Sequence, residues 1–481
     1  MNILFNFFKT LDKNAIRYCH WKSIDRMDEV MDGRTDIDLL IDKQQIAEFN
    51  IILAQFKVIS VRPRFWMVYP AMEDYLLYDD KIGKFFHLHL HYKLIMGKKN
   101  AKEYILPLDN LYLNNSIKHK KYDTLVIKPE IDLIMLHLRY AVKYTRFQKI
   151  YQKLRGFKVS EVKEMKYLNP LCDKSLLLDF AKKIDKILNT NQTIFNYFDK
   201  ELHLKPLKNI SKTIRLKKAI SLFKRVGSFE VYTFRKLRKY LNLYAALGRN
   251  NAKHPVQSGM TIALVGCDGS GKTTVTDTII KELRSKVSAR KYYMGFNARS
   301  FSFRTKLLAV LSYAPRGAKF IFKGDFGKKI NILGQLIIEY GGYLDRKKLY
   351  KKSLRDKANG MIGFYERFPL KNTIDYPQCF YNKKDLDIIK KSKYLKKLKL
   401  KLEKKYEIFQ PADLNFFINT STETIRERRE MSDKTFEKVC AKYNRVQNYV
   451  DSHDYFIDIN GNKPLKDVVL NVKNNIFNHL C

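Results

Sequence analysis

Acidic residues are scarce in this chain: 49 Asp and Glu stand against 92 Lys and Arg, leaving a formal net charge of +43 over 481 residues. A deficit this large disfavours a cationic ligand and favours an anionic partner, whether a phosphorylated substrate, an acidic membrane surface or nucleic acid. Heavy use of Lys in many segments supplies part of the surplus by composition alone. Cysteine is sparse too. Six stand singly at 19, 172, 267, 379, 440 and 481, which excludes metal-type pairs and points to a reducing cytoplasm. No apolar run approaches bilayer length, and no signal-type stretch opens the chain. The expectation is therefore cytoplasmic, with at most peripheral attachment to the inner face of an acidic membrane. Nucleic acid is the weaker partner, because zinc patterns and aromatic-interleaved basic motifs are missing. What is present is globular: 45% of residues are apolar and 13% aromatic, on a chain long enough for two or three domains.

Period-2 alternation marks short strands at 37–41 and 56–61, and a hairpin of 75–78 with 85–92 turned at Asp80-Lys81-Ile82-Gly83. These place a small mixed-sheet α/β domain over residues 1–125. Helical spacing then dominates to about Leu247, with Leu133, Leu136, Leu138, Ala141 and Val142 on one face, so 126–247 reads as a basic helical region. The turn-rich 248–259 reads as a linker. From Met260 strands alternate with helices: 260–265, 291–294, 361–365, 414–419 and 455–459 suggest a parallel sheet covered on both faces. The Lys-rich 383–406 reads as one solvated helix, with Leu386, Ile389, Leu395, Leu398 and Leu402 on its buried side.

Between the strand at 260–265 and the helix that follows lies Gly266-Cys267-Asp268-Gly269-Ser270-Gly271-Lys272-Thr273-Thr274. A glycine-rich turn here points several backbone N–H groups into one cavity at the positive end of a helix. Lys272 is placed for the β- and γ-phosphates of ATP and the Thr273 hydroxyl for Mg²⁺. Glu366-Arg367-Phe368 emerges at the carboxyl end of the strand at 361–365, the edge where an α/β sheet keeps its site. Arg367 suits bidentate phosphate contact, and Glu366 suits a Mg²⁺ shell or substrate orientation. Arg426, Arg428 and Arg429 follow the next strand, where cations can neutralise a transferring phosphoryl group.

The segment 266–274 resembles the signature of thymidylate kinases, which carry an acid at the third loop position. Glu366-Arg367-Phe368, Pro411-Ala412-Asp413-Leu414 and the 426–429 arginines match further motifs of that family in the right order, over about residues 258–478. The resemblance implies a P-loop kinase fold and transfer of the ATP γ-phosphate to a monophosphate, with Asp268 and Lys272 near the transferred group. The chain departs from the family at Glu366, where relatives carry Asp. It departs again in 341–360 and in 295–304, where the nucleotide-kinase Arg-Glu-Pro-Gly pattern is missing. Gly295, Arg299, Arg304 and Arg346 are the acceptor-site candidates.

A second constellation lies near the start. Lys22-Ser23 precedes Asp36-Ile37-Asp38-Leu39, and alternation puts Asp36 and Asp38 on one face, where two carboxylates can share a divalent ion. Over about residues 15–125 this resembles the nucleotidyltransferase superfamily related to polymerase β. His89, in Phe86-His87-Leu88-His89-Leu90-His91-Tyr92, falls where those relatives place a third carboxylate. The resemblance implies nucleotidyl transfer, and an imidazole in that position weakens it or leaves binding only, because nitrogen is a poor ligand for Mg²⁺. Alternatively, the three histidines with Asp36 and Asp38 form a transition-metal site.

Taken together, the sequence predicts an ATP- and Mg²⁺-dependent phosphotransferase acting on a small anionic acceptor. That acceptor is a nucleotide, or a sugar or polyol intermediate of surface-polysaccharide synthesis. A possible second divalent ion belongs to the N-terminal domain. The rival reading is a nucleotidyltransferase or a nucleic-acid-associated regulatory NTPase.

Overall fold

Alternating and continuous apolar stretches become two large sheets and a small two-stranded one among the described residues of the computed structural model. It describes residues 3–98, 101–145, 148–151, 160–200, 210–247, 253–257, 259–284, 286–295, 302–312, 324–369, 381 and 383–481. The chain divides into an N-terminal unit, Met1–Lys253 with Leu480–Cys481, and a C-terminal unit, His254–His479.

Among the described residues, the N-terminal unit is built on nine strands. They are β1 (Tyr18–His20), β2 (Ile37–Ile41), β3 (Val58–Arg62), β4 (Met72–Asp79), β5 (Lys84–His91), β6 (Leu94–Met96), β7 (Tyr104–Leu106), β8 (Ser116–Lys118) and β9 (Leu125–Ile127). Seven run in the order β3-β4-β5-β2-β1-β9-β8, with β6 and β7 paired apart. The sheet is mixed: β2 runs parallel to β5, while β4 is antiparallel to β5 and β1 to β2. The expected hairpin is present and longer than its alternation suggested, because Met72–Asp74 continue the pairing. Helices cover the sheet. Pro129 begins the helix Pro129–Lys143, where its fixed φ costs no hydrogen bond, and Glu130 and Asp132 complement the helix dipole in the first turn. Asp173 caps Lys174–Leu188 by accepting from the Leu176 amide at 2.9 Å. One continuous apolar core joins sheet and helices, from Leu4 through Leu136 to Ile220.

The C-terminal unit opens on the two-residue β10 (His254–Pro255). It is then organised by β11 (Met260–Val265), β12 (Ala289–Tyr293), β13 (Ile362–Glu366), β14 (Leu414–Asn419) and β15 (Phe456–Asn460). The five form a wholly parallel sheet in the order β12-β13-β11-β14-β15. Every residue of β11 is buried, as a central strand covered on both faces requires. Its one polar member, Thr261, is explained by Asp413: one carboxylate oxygen accepts from the Thr261 amide at 2.7 Å and its hydroxyl at 2.9 Å. The arrangement is a P-loop-kinase-like α/β fold with the glycine-rich segment at the carboxyl end of the central strand.

One expectation changes. The Lys-rich helix is two helices, Lys383–Lys391 and Lys393–Tyr406, broken at Ser392, whose extended ψ of 110° and side chain cap the second by accepting from the Leu395 amide. Apolar periodicity ran through the break because Ile389 and Leu395 are buried on both sides of it. The segment 341–360 is mostly the end of one long helix, Asp325–Ala358. No helix among the described residues is long and apolar enough to cross a membrane.

Candidate functional site

The parallel register aligns Leu264 with Glu366 and with Phe416, so β11 and β13 end at nearly one level while β14 runs on to Asn419. Gly266 turns away first. A Cβ there would lie 2.8 Å from both the Ile418 carbonyl and the Ser270 hydroxyl, so only glycine lets the loop pass over the end of β14. The buried Ser270 is held from the other side, its carbonyl accepting from Thr420 Oγ1 at 3.3 Å. Gly269 and Gly271 have φ near +90°, and Gly271 serves as N-cap of the helix Lys272–Leu283. This is the turn that the spacing predicted.

Lys272 folds back over that turn and donates to the Gly266 carbonyl at 2.9 Å and the Cys267 carbonyl at 2.5 Å. Thr273 is exposed and donates to Glu366 Oε1 at 2.5 Å, and Lys291 holds the other Glu366 oxygen at 2.8 Å. Thr274 points outward beside it. Asp268 sits between Arg367, at 3.2 Å, and Lys442, at 3.0 Å. Burial pushes the Asp268 carboxyl up, but Lys442, Lys272 and Arg367 outweigh it and hold it below the usual carboxylate range. Arg367 carries a φ of +55°, a conformation that costs a non-glycine residue about 1 kcal/mol and is tolerated where it aims a functional group.

The remaining candidates fall in different places. Any side chain at Gly295 would lie 2.4 Å from the Tyr293 hydroxyl and 2.6 Å from Arg367 Cδ, so this glycine makes room for the arginine. Arg346 is 2% exposed and donates to the Met294 carbonyl at 2.6 Å and the Tyr406 hydroxyl at 3.2 Å, a contact that ties helices to the end of β12. Arg304 is exposed on the helix Phe303–Leu311, and Arg299 lies outside the described residues. Arg426 pairs with Asp433 at 2.7 Å, while Arg428 and Arg429 are exposed. No described contact joins these three arginines to the loop. Besides Arg367, a cation that does reach it, Lys442, stands on the next helix, Asp433–Asp451. That helix packs Val439 against Cys267 and Ile425, and its Tyr443 donates to Asn419 at 2.8 Å. Lys291 and Lys442 were not legible as site residues, since each stands in an ordinary Lys-rich context.

In the N-terminal unit, pairing registers His89 with Asp38 on one neighbouring strand and with Asp74 on the other. His87 and His91 flank it on the same face. Lys22 reaches Asp38 at 2.8 Å. Lys253 reaches Asp74 and His87 Nε2 at 2.7 Å and His89 Nε2 at 3.1 Å. His87 Nδ1 faces Asp36 at 2.7 Å. Asp36 and Asp38 share His89, which lies 3.8 Å from each, and they enter different ligand groups joined there: Asp36 with His87 and His89, Asp38 with His89 and His91. Either group has the donor chemistry for a divalent cation. Burial first, then its neighbours His87 and Lys253, bring His89 down to about 3, and burial brings His91 down to about 4. Burial pushes Asp38 up, but Lys22 and then His91 overcome it and hold it well below its usual range. Asp74 and Lys253 were missed, because neither sits in a motif. A cavity of about 380 Å³ adjoins Lys22 and is lined by Trp21, Tyr69, Lys102, Arg139 and Glu164 among others.

No protein-family model matches the sequence, and no curated protein matches it. Among solved structures, deoxyadenosine kinase from M. mycoides with bound dATP is similar at 14% identity, covering 45% of this chain and 98% of that one, with a TM-score of 0.28. The structure of the same kinase with the products dCMP and a flexible dCDP is similar at 13% identity over the same shares, with a TM-score of 0.27.

Proposed function

We propose that the C-terminal unit is an ATP-dependent phosphotransferase that acts on a small anionic acceptor. The observation that carries this reading is the meeting of Lys272, the Thr273–Glu366 pair and the Arg367–Asp268–Lys442 group at one sheet edge. Lys272 rests on loop carbonyls and needs only a side-chain rotation to meet β- and γ-phosphates. Arg367 and Lys442 offset charge on the transferring group, and a carboxylate such as Asp268 or Glu366 orients the acceptor. Thr273 and Glu366 present adjacent hard oxygens, a donor set that fits Mg²⁺. Bound there, Mg²⁺ supplies charge neutralisation on the phosphate oxygens. The acceptor class is a nucleotide, or a sugar or polyol intermediate of surface-polymer synthesis, and the net charge of +43 favours work beside an acidic membrane surface.

The deciding experiment incubates the full chain with γ-labelled ATP and a panel of nucleoside and sugar phosphates. Label appears on one acceptor class with the wild type and disappears with Lys272→Ala, while circular dichroism stays unchanged. Undiminished transfer by Lys272→Ala would overturn the assignment. A second reading, nucleotidyl transfer by the N-terminal unit, is favoured by the Lys22–Asp38 pair beside the cavity. It requires α-label, not γ-label, on the acceptor.

A further inference from the structure

The Lys253 ammonium has three N–H donors and no acceptor, so each atom it meets must present a lone pair. It meets three: Asp74 Oδ1 and His87 Nε2 at 2.7 Å, and His89 Nε2 at 3.1 Å. A carboxylate oxygen and two imidazole nitrogens therefore converge on one point that already holds a positive charge. The spacing of Asp74 to each histidine suits a smaller cation. Asp74 Oδ1 lies 3.3 Å from His87 Nε2 and 3.1 Å from His89 Nε2. A tetrahedral ion with bonds of about 2.0–2.1 Å has ligand–ligand edges of about 3.3 Å.

The next layer of contacts fits as well. His87 Nδ1 lies 2.7 Å from Asp36 Oδ1. A hydrogen bond from Nδ1–H to that carboxylate fixes the tautomer in which Nε2 carries the lone pair, the device that orients metal-bound histidines. The triad is mostly buried: the His87 side chain is 8% exposed and that of Asp74 10%. His91 takes no part, because it lies against Asp38 and the Trp21 ring.

We propose that Asp74, His87 and His89 form a transition-metal site of the Zn²⁺ and Co²⁺ class, whose resident cation is the Lys253 ammonium, so that metal and lysine exclude one another. Two nitrogen donors out of three select against Mg²⁺, which takes oxygen. Three protein ligands leave the fourth tetrahedral position to solvent. The ligand set differs from the Asp36, Asp38 and His89 grouping expected from sequence: Asp74 and His87 replace the two aspartates, and Asp36 moves to the outer layer. The proposal is independent of phosphoryl transfer in the other unit.

The test titrates the untagged full chain with cobalt chloride and follows the visible absorption of tetrahedral Co²⁺, with zinc chloride calorimetry alongside. Wild type takes one ion per chain. Lys253→Ala binds about tenfold more tightly, because the competing ammonium is gone. Asp36→Asn, which alters only the outer acceptor, binds about tenfold more weakly. His87→Ala with His89→Ala gives no tetrahedral band, while circular dichroism shows the fold kept. Equal affinity in wild type and Lys253→Ala overturns the competition. A tetrahedral band that survives the double histidine variant, or none in wild type and Lys253→Ala at millimolar Co²⁺, overturns the site. Because Lys253→Ala keeps every ligand, that comparison decides even where the histidine variant does not fold.

Discussion

Two lysines separate the two units. Lys272 reaches carbonyls six and five residues away, within its own loop. Lys253 reaches Asp74 across 179 residues and two histidines across 166 and 164. The first arrangement is local: its glycines, its lysine and the following helix form one continuous segment. The second exists only once β4 and β5 have paired and a distant segment has been laid against them. The acceptors differ too. Backbone carbonyls are a resting place for an ammonium that works elsewhere, whereas a carboxylate with two imidazoles is a ligand set. A short motif thus identifies a phosphate site, while a cation site of equal density stays invisible until the sheet is assembled.

Separate lysines should therefore separate activities, and the largest effect tests this. Lys272→Ala lowers γ-phosphoryl transfer by about 10³-fold, the loss expected when a central charge-stabilising donor goes. Lys22→Ala leaves the rate within about twofold, since Lys22 pairs with Asp38 inside the N-terminal unit and shares no described partner with the loop. A large loss in Lys22→Ala breaks the comparison, because the N-terminal unit would then share in the same reaction. Next in size is Glu366→Gln, which keeps the contact to Thr273 but removes the charge. Transfer falls about 10²-fold and needs more Mg²⁺ for half-maximal rate. An unchanged Mg²⁺ requirement removes Glu366 from the metal shell and leaves it as a partner of Lys291.

The same contrast explains what could be read beforehand. Each strand of the parallel sheet begins and ends within two residues of its expected position, with no shift at β11 and β14, whose runs are almost wholly buried. The three-residue strands Tyr18–His20, Ser116–Lys118 and Leu125–Ile127 are too short to show a period. Lys291, Lys442, Asp74 and Lys253 were illegible for a different reason: a single Lys or Asp becomes a site residue only through its partners. Asp413 lies between these cases, since its motif was recognised while its work was not. It ties down the start of β11 through Thr261 and pairs with Lys357 at 2.5 Å. Asp413→Ala leaves a buried strand amide without its acceptor and should lower stability by about 1–3 kcal/mol. Chemical denaturation checks it, and a change below about 0.5 kcal/mol would make Asp413 a surface charge.

The smallest effect concerns pH, where the units should respond with opposite sign. His137 in the N-terminal unit is buried against Phe198 and Tyr197, whose hydroxyl lies 3.0 Å away, and burial brings it down to about 3. Its folded value lies below its unfolded one, so the unfolded chain binds the extra proton. Stability is then full above about pH 6.5 and is lost as pH falls from there toward 3. Glu339 in the C-terminal unit accepts from Tyr381 at 2.5 Å, with Lys399, Arg346 and Glu403 contributing charge, and burial raises it to about 7. Here the folded state keeps the proton longer, so stability is full below about pH 4.5 and is lost as pH rises toward 7. Each proton contributes at most about 1.4 kcal/mol per pH unit. Protection factors from hydrogen exchange, taken between pH 4.5 and 6.5, should rise with pH in the helix Pro129–Lys143 and fall in Asp325–Ala358. His137→Gln should flatten the first trend and Glu339→Gln the second. Trends of the same sign in both helices would mean that the two units unfold together, and that the contrast drawn from their lysines does not extend to their stability.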